Sequence, residues 1–181
     1  MKKIVFATMM CVAAMSAKAQ VITSETVKNV FENVSNQTDG DFAYNAEWTG
    51  TDITTMYIYR QANSPKGVLV LKPHLKYEYT YAADGTLASR VTYRWSDIQD
   101  DWTCAARYDY TLATGKYCVA YSRYNHAANS FDQPVEMMIY SLTSDDSVNY
   151  VSCYYRDYPS SQFQLVSETL VADFPLLFAE K

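Results

Sequence analysis

Polar and apolar residues alternate along much of the chain, most clearly in the stretch KYEYTYAADGTLASRVTYRW, residues 76–95. A period of two is typical of a β-strand with one buried face. Turn signals rich in Gly, Asp, Asn and Ser interrupt the alternation at nearly regular intervals. They are AADGT (82–86), SDIQDD (96–101), ATGK (113–116), NHAANS (125–130), TSDDS (143–147) and DYPSSQ (157–162). This rhythm predicts a mainly β fold, an antiparallel β meander of about eight to ten strands.

The turn residues of the first clear hairpin predict its register. A three-residue loop over residues 83–85 closes it, with Gly85 in the left-handed conformation that a residue without Cβ adopts readily. The pairs that this loop predicts are Tyr81 with Leu87, Tyr77 with Val91 and Glu78 with Arg90.

The next hairpin has a two-residue loop, Thr114-Gly115. Its predicted pairs are Leu112 with Tyr117, Tyr110 with Val119 and Tyr108 with Tyr121. The alternate tyrosines then form one continuous face, stabilised by cross-strand pairs. The other face is polar and is predicted to carry Lys76, Glu78, Thr80, Thr86, Arg90, Thr92, Arg107, Asp109 and Thr111. Tyr124 has the wrong parity for the aromatic face unless a bulge intervenes.

A different period marks the stretch TSETVKNVFENVSNQ, residues 23–37. Val27, Val30, Phe31 and Val34 recur at helical spacing, which predicts a short N-terminal helix. Ser24 is the predicted N-cap of this helix.

The first twenty residues, MKKIVFATMMCVAAMSAKAQ, combine two lysines, a short apolar run and an Ala-x-Ala motif. This pattern is typical of a secretory signal peptide over residues 1–19, with cleavage after Ala19. The apolar run is too short for a membrane-spanning helix, so no transmembrane anchor is expected. We therefore expect a periplasmic or extracellular protein with a single β-rich domain over residues 20–181.

The net charge of the chain bears on whether nucleic acid is a partner. Removal of residues 1–19 leaves 162 residues and changes the formal net charge from −5 to −8, because three lysines leave with them. Nucleic-acid binding relies on clustered Lys and Arg, and no such cluster is visible in the sequence. We therefore expect no nucleic-acid partner.

Three cysteines follow the predicted signal peptide, namely Cys104, Cys118 and Cys153. Their spacings do not match metal-binding or redox motifs. The predicted registers place Cys104 on the tyrosine face and Cys118 on the polar face, and Cys118 and Cys153 two strands apart. Since a disulfide needs Cα atoms within about 7 Å, we predict three free thiols.

No motif nominates catalytic residues, a cofactor or a metal. The two histidines, His74 and His126, have no nucleophile at a recognisable spacing. The acidic loop with Asp97, Asp100 and Asp101 lacks the glycine and glutamate of a known calcium loop. Paired carboxylates for hydrolysis leave no sequence motif, because their separation in space defines them.

Aromatic residues are the strongest functional signal. The chain has 17 tyrosines, and each buried hydroxyl needs a hydrogen-bond partner, so some of them are expected at a wet surface. The sequence favours a non-catalytic binding module with a glycan or protein ligand on the aromatic face, around Trp95, Trp102, Tyr108 and Tyr121. The alternative is a cell-envelope hydrolase whose carboxylates meet only in the folded chain.

The stretch LKPHLKYEYTYAADGTLASR, followed by YRWSDIQDDW and a further Y-x-Y-T hairpin, resembles a known family over about residues 71–142. The family consists of small secreted Bacteroidetes proteins and is catalogued only as a domain of unknown function. The resemblance implies an exported antiparallel β meander and no activity. It also makes Ser147, in the tripeptide Asp-Ser-Val, a candidate for O-glycosylation.

The Y-x-Y…G-x-L hairpins are also similar to the tyrosine-aspartate repeats of large bacterial toxin shells. The aspartate that usually follows the third tyrosine is Ala82 here, and only a few repeats are present. These departures argue against an enclosed shell.

Overall fold

One antiparallel sheet contains every strand in the computed structural model, which describes residues 21–36, 41–142 and 148–170. The strands are β1 (Phe42–Thr49), β2 (Asp52–Asn63), β3 (Leu69–Tyr81), β4 (Leu87–Ser96), β5 (Asp101–Ala113), β6 (Lys116–Asn125), β7 (Ser130–Phe131), β8 (Glu136–Leu142), β9 (Val148–Tyr155) and β10 (Gln164–Leu170). Each long strand pairs with its neighbour in sequence, except that β6 pairs with both β8 and the two-residue β7. The predicted meander is confirmed.

The predicted helix is present as α1 (Ser24–Ser35). Its N-cap is Thr23, so the prediction of Ser24 was wrong by one residue. The Thr23 hydroxyl accepts a hydrogen bond from the Thr26 backbone N–H at 3.2 Å, and the Thr26 hydroxyl accepts one from the Thr23 backbone N–H at 3.3 Å. Two backbone donors that a helix start leaves unpaired are thereby satisfied.

The start of α1 is anchored to the turn between β3 and β4. The Ser24 N–H donates to the Gly85 carbonyl at 3.0 Å, and the Leu87 N–H donates to the Ile22 carbonyl at 2.9 Å. Gly85 has a φ of +81°, as predicted for this turn. The turn therefore fixes where the helix meets the sheet.

The helix covers one part of the tyrosine face, the side of the sheet that carries Tyr77, Tyr79, Tyr81, Tyr108, Tyr110, Tyr117 and Tyr121. Val27 packs there against the fully buried Ile53 and the buried Met56. Burying a side chain of this kind contributes roughly 1.5–3 kcal/mol. A second core cluster lies beside it on the same face and consists of Leu87, Tyr110, Tyr117 and Val119.

The hairpin between β5 and β6 has the predicted register. Its pairs include Leu112 with Tyr117, Tyr110 with Val119 and Tyr108 with Tyr121. Gly115 in its two-residue loop has a φ of +68°, which explains the need for glycine there.

The hairpin between β3 and β4 departs from its predicted register. Tyr81 pairs with Leu87 as predicted, but Ala88 is an extra residue on β4 and shifts each later pair by one. The later pairs are Tyr79 with Arg90, Glu78 with Val91 and Tyr77 with Thr92. The predicted pairs of Tyr77 with Val91 and of Glu78 with Arg90 are therefore wrong.

This bulge changes which face receives the polar side chains of β4. Because directly paired residues share a face, Arg90 and Thr92 lie on the tyrosine face and not on the polar face that the sequence predicted. A one-residue shift in pairing turns every later side chain to the opposite side.

A second bulge lies on β5, where Ala105 is an extra residue opposite β4. It turns Cys104, which pairs with Tyr93, away from the tyrosine face. The predicted placement of Cys104 was therefore wrong. The outcome for the thiols is nevertheless confirmed, since Cys104, Cys118 and Cys153 are all free.

Tyr124 lies next to Arg123 on β6 and pairs with Phe131 on β7, with ring centroids 5.2 Å apart. The guanidinium of Arg107 lies 4.8 Å from the centre of the Phe131 ring. Arg107 pairs with Val91 on the face opposite the tyrosines. The contact with Arg107 therefore places the Tyr124–Phe131 pair towards that face, and no bulge brings Tyr124 onto the aromatic face.

The predicted signal peptide, residues 1–19, and Ser147 lie outside the described residues. Across residues 21–36, 41–142 and 148–170, no helix has the length and apolar character needed to cross a membrane.

Candidate functional site

The four residues predicted to form one aromatic platform lie in two separate pairs. Tyr108 and Tyr121 face each other on the tyrosine face, with ring centroids 5.1 Å apart. Trp95 and Trp102 are also paired, with ring centroids 5.2 Å apart, but on the opposite face. The expectation that all four are neighbours is therefore wrong. The two bulges turn the side chains of β4 and of the first part of β5 to the opposite face of the sheet.

The tryptophan pair belongs to an aromatic group on the opposite face. Tyr57 lies 6.1 Å from Trp102 between ring centroids, and Tyr57 is itself 6.4 Å from Tyr59. The Tyr57 hydroxyl donates a hydrogen bond to the Glu47 carboxylate at 2.9 Å. These rings are half-buried and pack on one another.

A charged cluster lies beside this group on the same face. Lys76 forms an ion pair with Glu78 at 2.8 Å, and the Tyr93 hydroxyl donates to the same carboxylate at 2.7 Å. Burial raises the pKa of Glu78, but these two hydrogen bonds outweigh it, so the pKa lies below its ordinary value. Each charge in this cluster has a partner, which indicates a structural role.

The tyrosine face contains a pocket of about 280 Å³ at the part of the sheet that α1 does not line. We call it the arginine pocket. Its lining residues are Leu75, Tyr77, Arg90, Thr92, Arg94, Ala105, Ala106, Tyr108, Tyr121, Arg123 and Tyr124. The pocket contains the predicted site residues Tyr108 and Tyr121, together with three arginines that sequence reasoning did not assign to a site.

Arg90 is the most enclosed of the three arginines. Its guanidinium lies 4.4 Å from the ring centre of Tyr108 and 4.9 Å from that of Tyr77. Such cation–π contacts contribute about 0.5–2 kcal/mol each, more where water is excluded. Arg90 also borders a gap of about 40 Å³ between α1 and the sheet, next to Tyr79 and Tyr110.

The charge of Arg90 is maintained in this environment. Burial lowers the pKa of Arg90, but the phenol groups of Tyr110, Tyr79, Tyr77 and Tyr108 together outweigh it, so the pKa lies above its ordinary value. Within the described ranges, no carboxylate lies within ion-pair distance of Arg90, Arg94 or Arg123. The pocket therefore combines positive charge with aromatic rings.

Two residues that line the arginine pocket each have a buried polar side-chain atom with no hydrogen-bond partner among the residues that the structure describes. These atoms are the Nε of Arg90 and the hydroxyl oxygen of Thr92. Leaving a buried donor or acceptor unpaired costs about 1–3 kcal/mol. Arg94 and Arg123, in contrast, are exposed at the pocket.

The sequence does contain a signal for two of these arginines, the alternating run Arg90-x-Thr92-x-Arg94 on β4. Its alternation indicates that the three side chains share a face. The bulge at Ala88 decides which face that is, and nothing in the local sequence marks Ala88 as an extra residue.

The two histidines and the acidic loop do not line this pocket. His74 stacks on Phe42 with ring centroids 5.5 Å apart, and His126 lies against Tyr124 at 5.1 Å. In the described part of the chain, no group of three His, Cys, Asp or Glu side chains is arranged to hold a metal ion.

The fold and the arginine pocket define the chain as an antiparallel β-sheet protein with a basic and aromatic pocket on one face. The chain belongs to DUF3836, a family of unknown function, whose model matches residues 1–142. The predicted resemblance to a catalogued domain of unknown function is thereby confirmed. No curated protein matches the chain significantly.

The chain is similar to solved structures, one of which shares the fold. A protein of unknown function from Bacteroides fragilis is 22% identical, with a TM-score of 0.62 over 77% of this chain and 95% of its own. A DUF3836 protein from Parabacteroides distasonis is 20% identical, with a TM-score of 0.49 over 56% of this chain and 90% of its own. At these identities the first likeness shows the fold alone.

Proposed function

We propose that this chain is an exported, non-catalytic binding protein whose ligand occupies the arginine pocket. The observation that carries the proposal is the pocket itself, in which the paired rings of Tyr108 and Tyr121 adjoin the guanidinium of Arg90. Aromatic rings with only two side-chain torsions lose little entropy on binding, and a sheet holds them in place.

The composition of the pocket supports binding over hydrolysis. Its lining contains Tyr, Arg, Thr, Leu and Ala, but no Asp, Glu, His, Ser or Cys among the residues that the structure describes. Most glycoside hydrolases use a pair of carboxylates about 5–9.5 Å apart across the scissile bond. A hydrolase site of that kind would need such a pair at this pocket.

Tyr108 and Tyr121 are the proposed ligand-contacting rings, and the tryptophan pair provides the comparison. We expect the wild-type protein to bind a subset of glycans on an array of defined oligosaccharides. Tyr121→Ala and Tyr108→Ala should each reduce that binding by about 1–3 kcal/mol, as expected of aromatic binding residues. Trp95→Ala should leave the binding unchanged, because Trp95 lies on the opposite face.

Urea unfolding of the same variants separates binding from folding. A core role for Tyr121 predicts a loss of about 3–5 kcal/mol in the free energy of unfolding, as for other large buried aromatics. A large loss of that kind, or binding that survives both tyrosine substitutions, would contradict the proposed site.

Export is part of the same proposal and rests on the pattern of residues 1–19. Expression of the full chain in a Gram-negative host should yield a secreted or periplasmic protein that begins at Gln20. N-terminal sequencing checks this, and an unprocessed chain in the cytoplasm would contradict it.

We also propose that Ser147 carries an O-linked glycan in the native host, on the strength of the Asp-Ser-Val tripeptide and the family resemblance. Protein purified from that host should be heavier than its Ser147→Ala variant. Equal intact masses, after allowance for the substitution, would remove the proposal.

A further inference from the structure

We infer that the ligand of the arginine pocket is a sugar acid, a sugar ring that carries one carboxylate group. This inference rests on the proposed function and adds the chemical class of the ligand. The juxtaposition that carries it is three guanidinium groups and a pair of tyrosine rings in one pocket.

The first argument is charge. The chain has a net charge of −5, yet this pocket gathers Arg90, Arg94 and Arg123 and has no acidic side chain in its described lining. Arginine presents several N–H donors in a planar fork that matches the two oxygens of a carboxylate. Three such groups at one pocket favour a negatively charged ligand.

The second argument is the two unpaired polar atoms. The Nε of Arg90 and the hydroxyl of Thr92 are buried without a partner within the described residues, and both residues line the pocket. An oxyanion accepts hydrogen bonds from both kinds of group. Binding such a ligand would satisfy donors that the fold leaves unused.

Glu136 is an acidic residue close to the arginine pocket and could neutralise part of its positive charge. It pairs with Tyr121 across the sheet and interacts electrostatically with Arg123. Burial raises the pKa of Glu136 above its ordinary value, and Arg123 offsets only part of this effect. Glu136 therefore balances Arg123 in part, while Arg90 and Arg94 have no comparable partner among the described residues.

Size and shape select a small ligand over an extended polyanion. Pockets for small molecules commonly measure about 300–1,000 Å³, so a pocket of about 280 Å³ is suited to one sugar-sized unit. The acidic chain as a whole repels a polyanion such as nucleic acid. The tyrosine rings supply apolar faces against which a sugar ring can stack.

The test compares two disaccharides that differ only in their terminal sugar, one ending in glucuronate and one in glucose. Isothermal titration at low salt should show that the glucuronate disaccharide binds at least about tenfold more tightly than the glucose disaccharide. Arg94→Gln and Arg123→Gln should each remove most of that preference. Both side chains are exposed, so these variants are expected to fold.

Arg60→Gln is the matched control, because Arg60 is also an exposed strand arginine but does not line the pocket. It should bind both disaccharides as the wild type does. Inorganic sulfate alone should bind at least tenfold more weakly than the glucuronate disaccharide, since it offers no ring to the tyrosines.

Four results would overturn the inference. Equal binding of both disaccharides that Tyr121→Ala abolishes would refute the sugar acid and leave the proposed function intact. Sulfate binding as tight as that of the glucuronate disaccharide would refute the sugar. A glucuronate preference that survives both pocket substitutions would refute the location. Binding of neither disaccharide would refute the ligand class.

Discussion

Arg90 is a charged side chain held between two aromatic rings instead of in solvent. Its guanidinium carbon lies 4.9 Å from the ring centre of Tyr77 and 4.4 Å from that of Tyr108, and its Nε is buried. A lysine at this position would keep the charge but lose the planar stacking and the forked donors. The geometry of the side chain, and not its charge alone, therefore stabilises this part of the sheet.

Arg90→Lys should consequently lower the free energy of unfolding by about 1–2 kcal/mol. Arg94→Lys, on the same strand but exposed, should change it by less than about 0.5 kcal/mol. Urea unfolding followed by tyrosine fluorescence measures both values. Equal stability of the two variants would show that the ring contacts of Arg90 contribute little.

The three free thiols also lead to a prediction at single residues. Alkylation of the unreduced, denatured chain without residues 1–19 should add three groups, at Cys104, Cys118 and Cys153. In the native protein Cys104 should react slowly, because burial and the nearby Glu78 raise the pKa of its thiol. A cross-linked pair of cysteine peptides in the mass spectrum would contradict the structure.

At the scale of elements, the N-cap interaction of α1 is made by Thr23 and not by the adjacent Ser24. Thr23→Ala removes the acceptor for the Thr26 N–H and should cost about 1 kcal/mol of stability. Ser24→Ala is the control and should cost only a few tenths of that, since Ser24 is inside the helix. Thermal unfolding of both variants checks the order, and a larger effect at Ser24 would reverse the assignment.

Elements themselves were largely predictable, because alternation and turn residues are local signals. The loop with Gly115 gave the correct register for the whole β5–β6 hairpin. Ala88 and Ala105 were not predictable as bulges, since each fits the strand pattern on either side of it. Their effect comes from pairing with the neighbouring strand, which is a tertiary property.

The candidate site was predictable from the sequence where a regular hairpin determines the register, and not where a bulge changes it. Tyr108 and Tyr121 were correctly paired because they flank a regular hairpin. Arg90 and Thr92 were assigned to the polar face because the bulge that turns them lies between them and the turn. The aromatic pair was therefore predicted correctly, and the faces of its polar neighbours Arg90 and Thr92 were predicted wrongly because of one extra residue.

At the scale of the whole molecule, the buried tyrosines couple stability to alkaline pH. Burial raises the pKa of Tyr140 to about 12 from an ordinary value of 10.0, and it raises those of Tyr79, Tyr81 and Tyr117 as well. A tyrosine whose folded pKa is raised is more easily ionised in the unfolded chain. Its contribution is complete below about pH 10 and declines as the pH rises above that value.

We therefore expect the urea midpoint to be constant from about pH 7 to 9 and to fall progressively between about pH 10 and 12. Absorbance at 295 nm should show only part of the 17 tyrosines ionising before the protein unfolds. Ionisation of all tyrosines with a single ordinary pKa in the folded protein would contradict the burial of this face.

The bulge at Ala88 makes the arginine pocket sensitive to a one-residue deletion in β4. An in-frame loss of three nucleotides there would remove one residue between Tyr81 and Arg90 and turn Arg90 and Thr92 out of the pocket, with the order of strands unchanged. Relatives with the same spacing are expected to keep the arginine pocket, and relatives one residue shorter are expected to have lost it. The number of residues between the third tyrosine and the arginine is therefore expected to indicate which relatives have the arginine pocket.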